Sequence, residues 1–349
     1  YTNGLDKPSD YFNTVLYTGD GTSSNAITGV GFQPDWVWIK ERNNSRQHQQ
    51  MDIVRGASVR LQCSTTNAES SSALNSFDSD GFTVNGSTLN GTNFNTGTYA
   101  SWNWKANGQG SSNTDGTINS TYTSANTTSG FSIVTYTGTG SAGTVGHGLG
   151  TTPSMVWIFN RTNGGNPHVF HKALGSTQYL LHASTLGVQT YAPVGIGTLT
   201  STTFSVGTVN GVNGSGKNYV AYVFAEKTGF CKIGSYTGNG NSDGTFVYTG
   251  FRPAWVLIKN ISSSQNWIMF DNKRPGFNVI DDILYPNNSD SEQTQDSVDF
   301  LSNGFKIRAT GNDRNQSGST LIYMAFAENP FVTSTGIPTP ARWLININI

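Results

Sequence analysis

Apolar runs of about five to eight residues recur along the chain between clusters of Gly, Pro, Asn and Ser, the spacing of strands and turns. WVWIK (36–40) and YVAYVF (219–224) alternate least, as central strands covered on both sides should. Other runs alternate in places. No ten-residue stretch holds a helical period with caps, so the pattern predicts an all-β fold.

The runs also repeat in a fixed order. LYTGDG (16–21), TYTGTG (135–140) and SYTGNG (235–240) are followed by GFQPDWVWIK, GLGTTPSMVWIFN and GFRPAWVLIK. A third block reads QHQQMDIVRG, PHVFHKALG and NWIMFDNKRPG; a fourth contains SFDSDGFTV, LTSTTFSVG and FLSNGFKIR. The closing blocks are YASWNWKAN, YVAYVFAEK and YMAFAENPF. The order predicts three tandem β-sandwich or jelly-roll-like modules of about 100 residues, with YTGxG as the first corner of each. The expected boundaries are 1–107, a Gly/Ser/Thr/Asn linker at 108–129 with scope for an edge strand, 130–229, 230–331 and an extended tail at 332–349. With no linker between the second and third modules, those two should be closely coupled.

Composition narrows the function classes. Only 12% of the residues are charged and 41 of the 349 are Gly, which fits turn-rich β structure. A net charge of −1 without a basic block leaves no source for phosphate neutralisation, so nucleic acid is not an expected partner. No apolar run approaches the roughly 20 residues that span a bilayer, and the opening YTNGLDKPSD lacks the order of a signal peptide. Starting at Tyr1 rather than Met points to a processed or partial chain. Cys63 and Cys231 fall in different modules and are expected as buried free thiols.

The strings YTNGLDKPSDYFNTVLYTGDG, SFDSDGF, SIVTYTGTGSAGTVGHGLG, GSYTGNGNSDGTFVYTGFRPAW and AFAENPFVTSTGIPTPAR resemble repeated modules in structural proteins of marine bacteriophages. The resemblance covers nearly the whole chain; WLININI (343–349) departs from it. It implies a tail-fibre-like virion protein on the outside of a phage particle, with other virion proteins as partners and host attachment as its role. A capsid-decorating protein and a carbohydrate-binding or depolymerising protein with host cell-surface glycans as ligands are the alternatives. It carries over no catalytic or binding residue.

Read for chemistry, the residues favour structure. Asp78 and Asp80 begin like a calcium loop, but the matching slots of the other modules lack carboxylates, so a hairpin turn is expected. His168 and His171, three apart on a strand, point to opposite faces and cannot converge on a metal. No metal or other cofactor is expected. His171 aligns with Asp52 and Asp271; each aspartate precedes an arginine by three residues, which predicts the ion pairs Asp52–Arg55 and Asp271–Arg274 across a structural corner. Asp281, Asp282, Glu292, Asp296 and Asp299 are the glycosidase-like carboxylates, with surface solvation as the plain explanation. There is no G-x-S-x-G elbow, and no enzyme is expected. Sequons such as those at Asn160, Asn213 and Asn260 follow from the abundance of Asn, Ser and Thr. Most tryptophans sit in the repeated core blocks; Trp267 and Trp343 fall outside them and are the expected surface contacts. The alternation in WLININI predicts a strand added to the sheet edge of a neighbouring copy, hence a homo-oligomer, with a trimer as the fibre-like form.

Overall fold

A computed structural model describes residues 5, 7–71, 74–86, 91–329, 331–332 and 338–339. It is all-β, with antiparallel pairing throughout the named sheets. One strand order occurs three times. In the first repeat an opening strand Phe12–Thr18 pairs with a closing strand Thr98–Trp104, then a Trp strand Trp36–Glu41, then a corner strand Gln49–Asp52. The second repeat has Phe131–Thr137, Asn218–Phe224, Met155–Asn160 and His168–His171 in those places. The third has Cys231–Thr237, Thr320–Ala327, Pro253–Asn260 and Trp267–Asp271. Registers correspond as well: Trp36, Met155 and Trp255 lie opposite Trp104, Phe224 and Phe326 on one side, and opposite Asp52, His171 and Asp271 on the other.

Strand alternation gives each of these sheets two apolar faces. In the first repeat Val37, Ile39 and Tyr99 face a second sheet, Asn25–Thr28, Gly81–Val84 and Leu74–Asp78, and share a core with Phe82 and Val84. Val256, Ile258 and Phe270 do the same against the third repeat's second sheet. The other faces meet one another. Trp36, Trp104, Phe131, Tyr222, Trp255 and Phe326 belong to one aromatic cluster drawn from all three repeats. Trp36 stacks on Tyr222 with ring centroids 4.4 Å apart, and Trp104 meets Trp255 edge-on at 5.7 Å. Being covered on both faces is why WVWIK shows so little alternation.

The coupling expected only between the second and third repeats therefore extends to all three. The segment expected as a linker is itself structured: Ser111–Asn113 and Ser120–Asn126 pair onto the opening strand of the second repeat and extend its sheet to eight strands.

The YTGxG corner recurs because each copy wraps around a buried asparagine just before the closing strand. Asn93, Asn213 and Asn315 accept through Oδ1 from the backbone N–H of Asp20, Thr139 and Asn239, at 3.1, 2.8 and 3.0 Å. Their backbone carbonyls accept from the corner's last glycine, Gly21, Gly140 and Gly240. These three glycines have φ of 71°, 76° and 68°, the left-handed region that side chains disfavour. The first glycine is required for space: a Cβ on Gly19 would lie 2.1 Å from Phe94 O, and one on Gly238 2.3 Å from Gln316 O.

Candidate functional site

Two clusters of buried charge stand where repeats meet. At the end of the first corner strand the side chains of Asp52 and Arg55, both fully buried, pair through Oδ2 and Nε at 2.5 Å. Arg55 Nη1 reaches Glu69 at 3.0 Å, and Glu69 in turn takes Arg161 of the second repeat at 2.9 Å. Tyr222 of the second repeat donates its hydroxyl to Asp52 Oδ2 at 2.8 Å. Burial works against the Arg55 charge, but Asp52, Tyr222 and Glu69 outweigh it and hold the pKa above its ordinary value.

The same set stands between the third repeat and the first. Asp271 and Arg274 pair at 2.6 Å, Arg274 Nη1 meets Glu292 at 2.9 Å, and Glu292 takes Arg42 of the first repeat at 2.6 Å. Trp102 Nε1 donates to Asp271 Oδ2 at 3.1 Å, from the register position that Tyr222 holds in its own sheet.

The junction of the second and third repeats is built differently. Its corner residue is His171, three residues on stands Leu174, and Val188 occupies the place of Glu69 and Glu292. Backbone bonds establish that last match: Glu69, Glu292 and Val188 donate their N–H to the carbonyls of Arg161, Arg42 and Ile261 at 3.0, 2.8 and 2.9 Å. Opposite, Met324 stands at the register of Tyr222 and Trp102. Met324 offers no N–H or O–H donor, so an aspartate at 171 would lack the hydrogen bond that Asp52 and Asp271 receive. His171 Nδ1 accepts from Ala173 N–H at 3.0 Å, as the aspartates accept from their own turns, while burial lowers its pKa to about 4 and keeps the ring neutral. Three junctions, two centred on a buried ion pair and one on apolar side chains with the Lys232–Glu226 pair at its rim at 3.0 Å, thus close a head-to-tail ring.

Most residues picked out in the sequence belong to this scaffold. Asp282 and Glu292 both contact Arg42, at 3.4 and 2.6 Å, and Asp299 pairs with Arg308 at 3.0 Å, so solvation alone does not account for them. Asp80 accepts from the N–H groups of Gly29 and Gly31, and Asp78 pairs with Gly81 across the hairpin. Both cysteines are free and buried. Trp267 is not a surface contact. It is 1% exposed, stacks on His182 at 5.0 Å and donates Nε1 to Leu181 O at 3.2 Å. It shares a strand face with Met269 and Asp271, the face turned to the shared core, and two-residue periodicity carries it inside with them. Trp343 lies outside the described residues.

The sequence reading missed the buried lysines and an exposed aromatic edge. Lys40 and Lys259 have no exposed surface; burial lowers their pKa values to about 8 and about 7. Lys259 donates to Thr185 O at 2.8 Å across the apolar junction. Phe246 and Tyr248, in contrast, stand out from an edge strand, Phe246–Tyr248, at 43% and 64% exposure. The alternation in FVY carried that signal: Val247 between them is buried.

Among the described residues no group of three or more His, Cys, Asp or Glu is placed to hold a metal ion, and no helix is long and apolar enough to cross a membrane. No curated protein matches the chain. One family profile matches residues 7–330 and so runs through all three repeats. The chain belongs to that family, described as a domain of unknown function (DUF7483).

Proposed function

We propose that the chain is a non-enzymatic structural protein of a bacteriophage particle, carried on its exterior in a tail fibre or similar appendage and used in host attachment. The observation that carries this reading is the use made of the reactive side chains. Carboxylates that could serve as an acid and base pair, Asp282 and Glu292, are both engaged by Arg42, and Glu292 also by Arg274. The residues that most invite a catalytic reading instead join repeat to repeat. A ring with a buried aromatic centre resists local opening, which suits a protein that must persist outside a cell. The motif resemblance to structural proteins of marine phages supports the same reading.

The reading includes self-association through the segment after residue 339, with a trimer as the fibre-like form, and contacts with other virion proteins. Mass spectrometry of purified particles encoding this chain tests it: the chain is expected among the virion proteins, and its absence from them overturns the proposal. A density map of the particle separates an appendage from the alternative, a head-decorating position. Glycan-array binding with sugar release measured in parallel tests the carbohydrate alternative, which requires binding to a host-derived glycan.

A further inference from the structure

The second repeat contains a worked example of how its outer edge is closed. Its edge strand Gly143–Gly146 takes Ile118 alongside in parallel register with Val145. Ile118 N–H donates to Thr144 O at 2.9 Å, and the hydroxyls of Thr117 and Thr144 each accept the other residue's backbone N–H, at 2.9 and 3.1 Å. The Ile118 side chain is buried in the shared cluster with Val145. Asn113 lies against the outer face, so close that a Cβ on Gly146 would stand 1.7 Å from its Oδ1.

The third repeat has the same edge without that cover. Val145 and Val247 are equivalent, lying opposite Phe204 and Phe305. Phe246 then stands at the place of Thr144 and Tyr248 at the place of Gly146. The strand Phe246–Tyr248 ends the order of its sheet, so its outer backbone edge has no strand partner among the described residues. An open edge flanked by exposed aromatic rings is a template for strand addition.

We propose that this edge receives the segment 343–349 of a second copy of the chain, in the register that Ile118 uses. This rests on the self-association reading above and names the surface it would use. The occupant is argued from sequence and geometry. Ile118-Asn119 has its counterparts in Ile345-Asn346 and Ile347-Asn348, where alternation puts every Ile on one face and every Asn on the other. An Ile beside Val247 continues the apolar interior, and the Asn side chains fall on the wet face with Phe246 and Tyr248. Parallel register requires entry at the Phe246 end. The last described residues of the chain lie nearer the Tyr248 end: Glu328 N–H binds Arg252 O, four residues beyond Tyr248, and Thr339 pairs back on Phe331. From Thr339 to Trp343 the backbone reaches at most ~14 Å, too short to pass a strand of ~10 Å and reverse. A second copy meets no such limit.

The test uses the full chain, its F246K/Y248K variant and its I345D/I347D variant, with circular dichroism to confirm unchanged folding. Mass is measured by light scattering over a dilution series, and amide exchange of residues 245–249 is followed by mass spectrometry. The expected result is an oligomer in which exchange at 245–249 slows about tenfold, both effects disappearing on dilution and in either variant. An oligomer that survives F246K/Y248K with residues 245–249 unprotected overturns the edge while leaving self-association standing. A monomer at every concentration with no protection overturns both. Protection that persists in the diluted monomer assigns the edge to the chain's own segment and overturns the second-copy claim.

Discussion

Replacing Arg55 by Leu asks whether the ionic junctions act as units. The Arg55 side chain is fully buried and holds Asp52 at 2.5 Å, Glu69 at 3.0 Å and the carbonyl of Gln50 at 3.1 Å. Its loss leaves Asp52 with the Tyr222 hydroxyl and one backbone N–H but no countercharge. Removing one partner of a buried pair costs about 3–5 kcal/mol. With an unfolding entropy of roughly 2.1 cal/mol/K per residue, that lowers the Tm of a chain this long by about 4–7 °C. The apolar junction shows what a complete replacement looks like. Changing the set together, D52H, R55L, E69V, R161I and Y222M, transplants the residues found at His171, Leu174, Val188, Ile261 and Met324. Because no charge is then left unpaired, the fivefold variant is expected within about 1.5 kcal/mol of the parent, far better than additivity allows. Urea unfolding followed by Trp fluorescence measures both. An R55L loss below about 1 kcal/mol, or a fivefold variant no more stable than R55L, refutes the reasoning.

Other outcomes follow from the same contacts. All five histidines are depressed by burial, with His168, His171 and His182 lowered to about 4; their neutral forms favour the fold, so this stability is full above about pH 6.5 and drains away as pH falls toward 4. Urea midpoints should drop steeply over that window, by more than a variant with H171Q, whereas a flat profile contradicts buried neutral rings. Asn315→Ala removes donors to Asn239 Oδ1, Asn241 O and Ala309 O at 3.0, 2.7 and 2.8 Å and should cost about 2–4 kcal/mol in chemical denaturation; a loss under about 1 kcal/mol means the corner does not depend on its asparagine. Gly19→Ala, whose Cβ would strike Phe94 O, should destabilise more than Gly175→Ala, whose Cβ would come no closer than 3.4 Å to its nearest neighbour, Gln178 Oε1, and equal melting temperatures would contradict the close approach.

Local features were legible because they repeat within short windows. The YTGxG corner, the all-β pattern, the doubly covered Trp strands and the Asp52–Arg55 and Asp271–Arg274 contacts all lie within a few residues of one another. The asparagine inside the corner was present as NFNTG, VNGSG and RNQSG, yet Asn213 showed only as a sequon in an Asn-rich chain. The ring itself was hidden by distance: Arg42 and Glu292 are 250 positions apart, and nothing in either neighbourhood names the other. Trp267 was misplaced for a related reason. Departure from the repeat suggests exposure, but the shared core draws on three repeats that differ in sequence, and its asymmetric positions are filled by residues that do not recur.

Three repeats that fold around one shared core, and not as three sandwiches in a row, should unfold as one unit. Scanning calorimetry of the full chain measures this directly. A single endotherm whose van't Hoff and calorimetric enthalpies agree is the expected result, because opening any junction exposes the Trp36, Tyr222 and Trp255 cluster of all three repeats. Two or three resolved transitions, or a calorimetric enthalpy near three times the van't Hoff value, would contradict it.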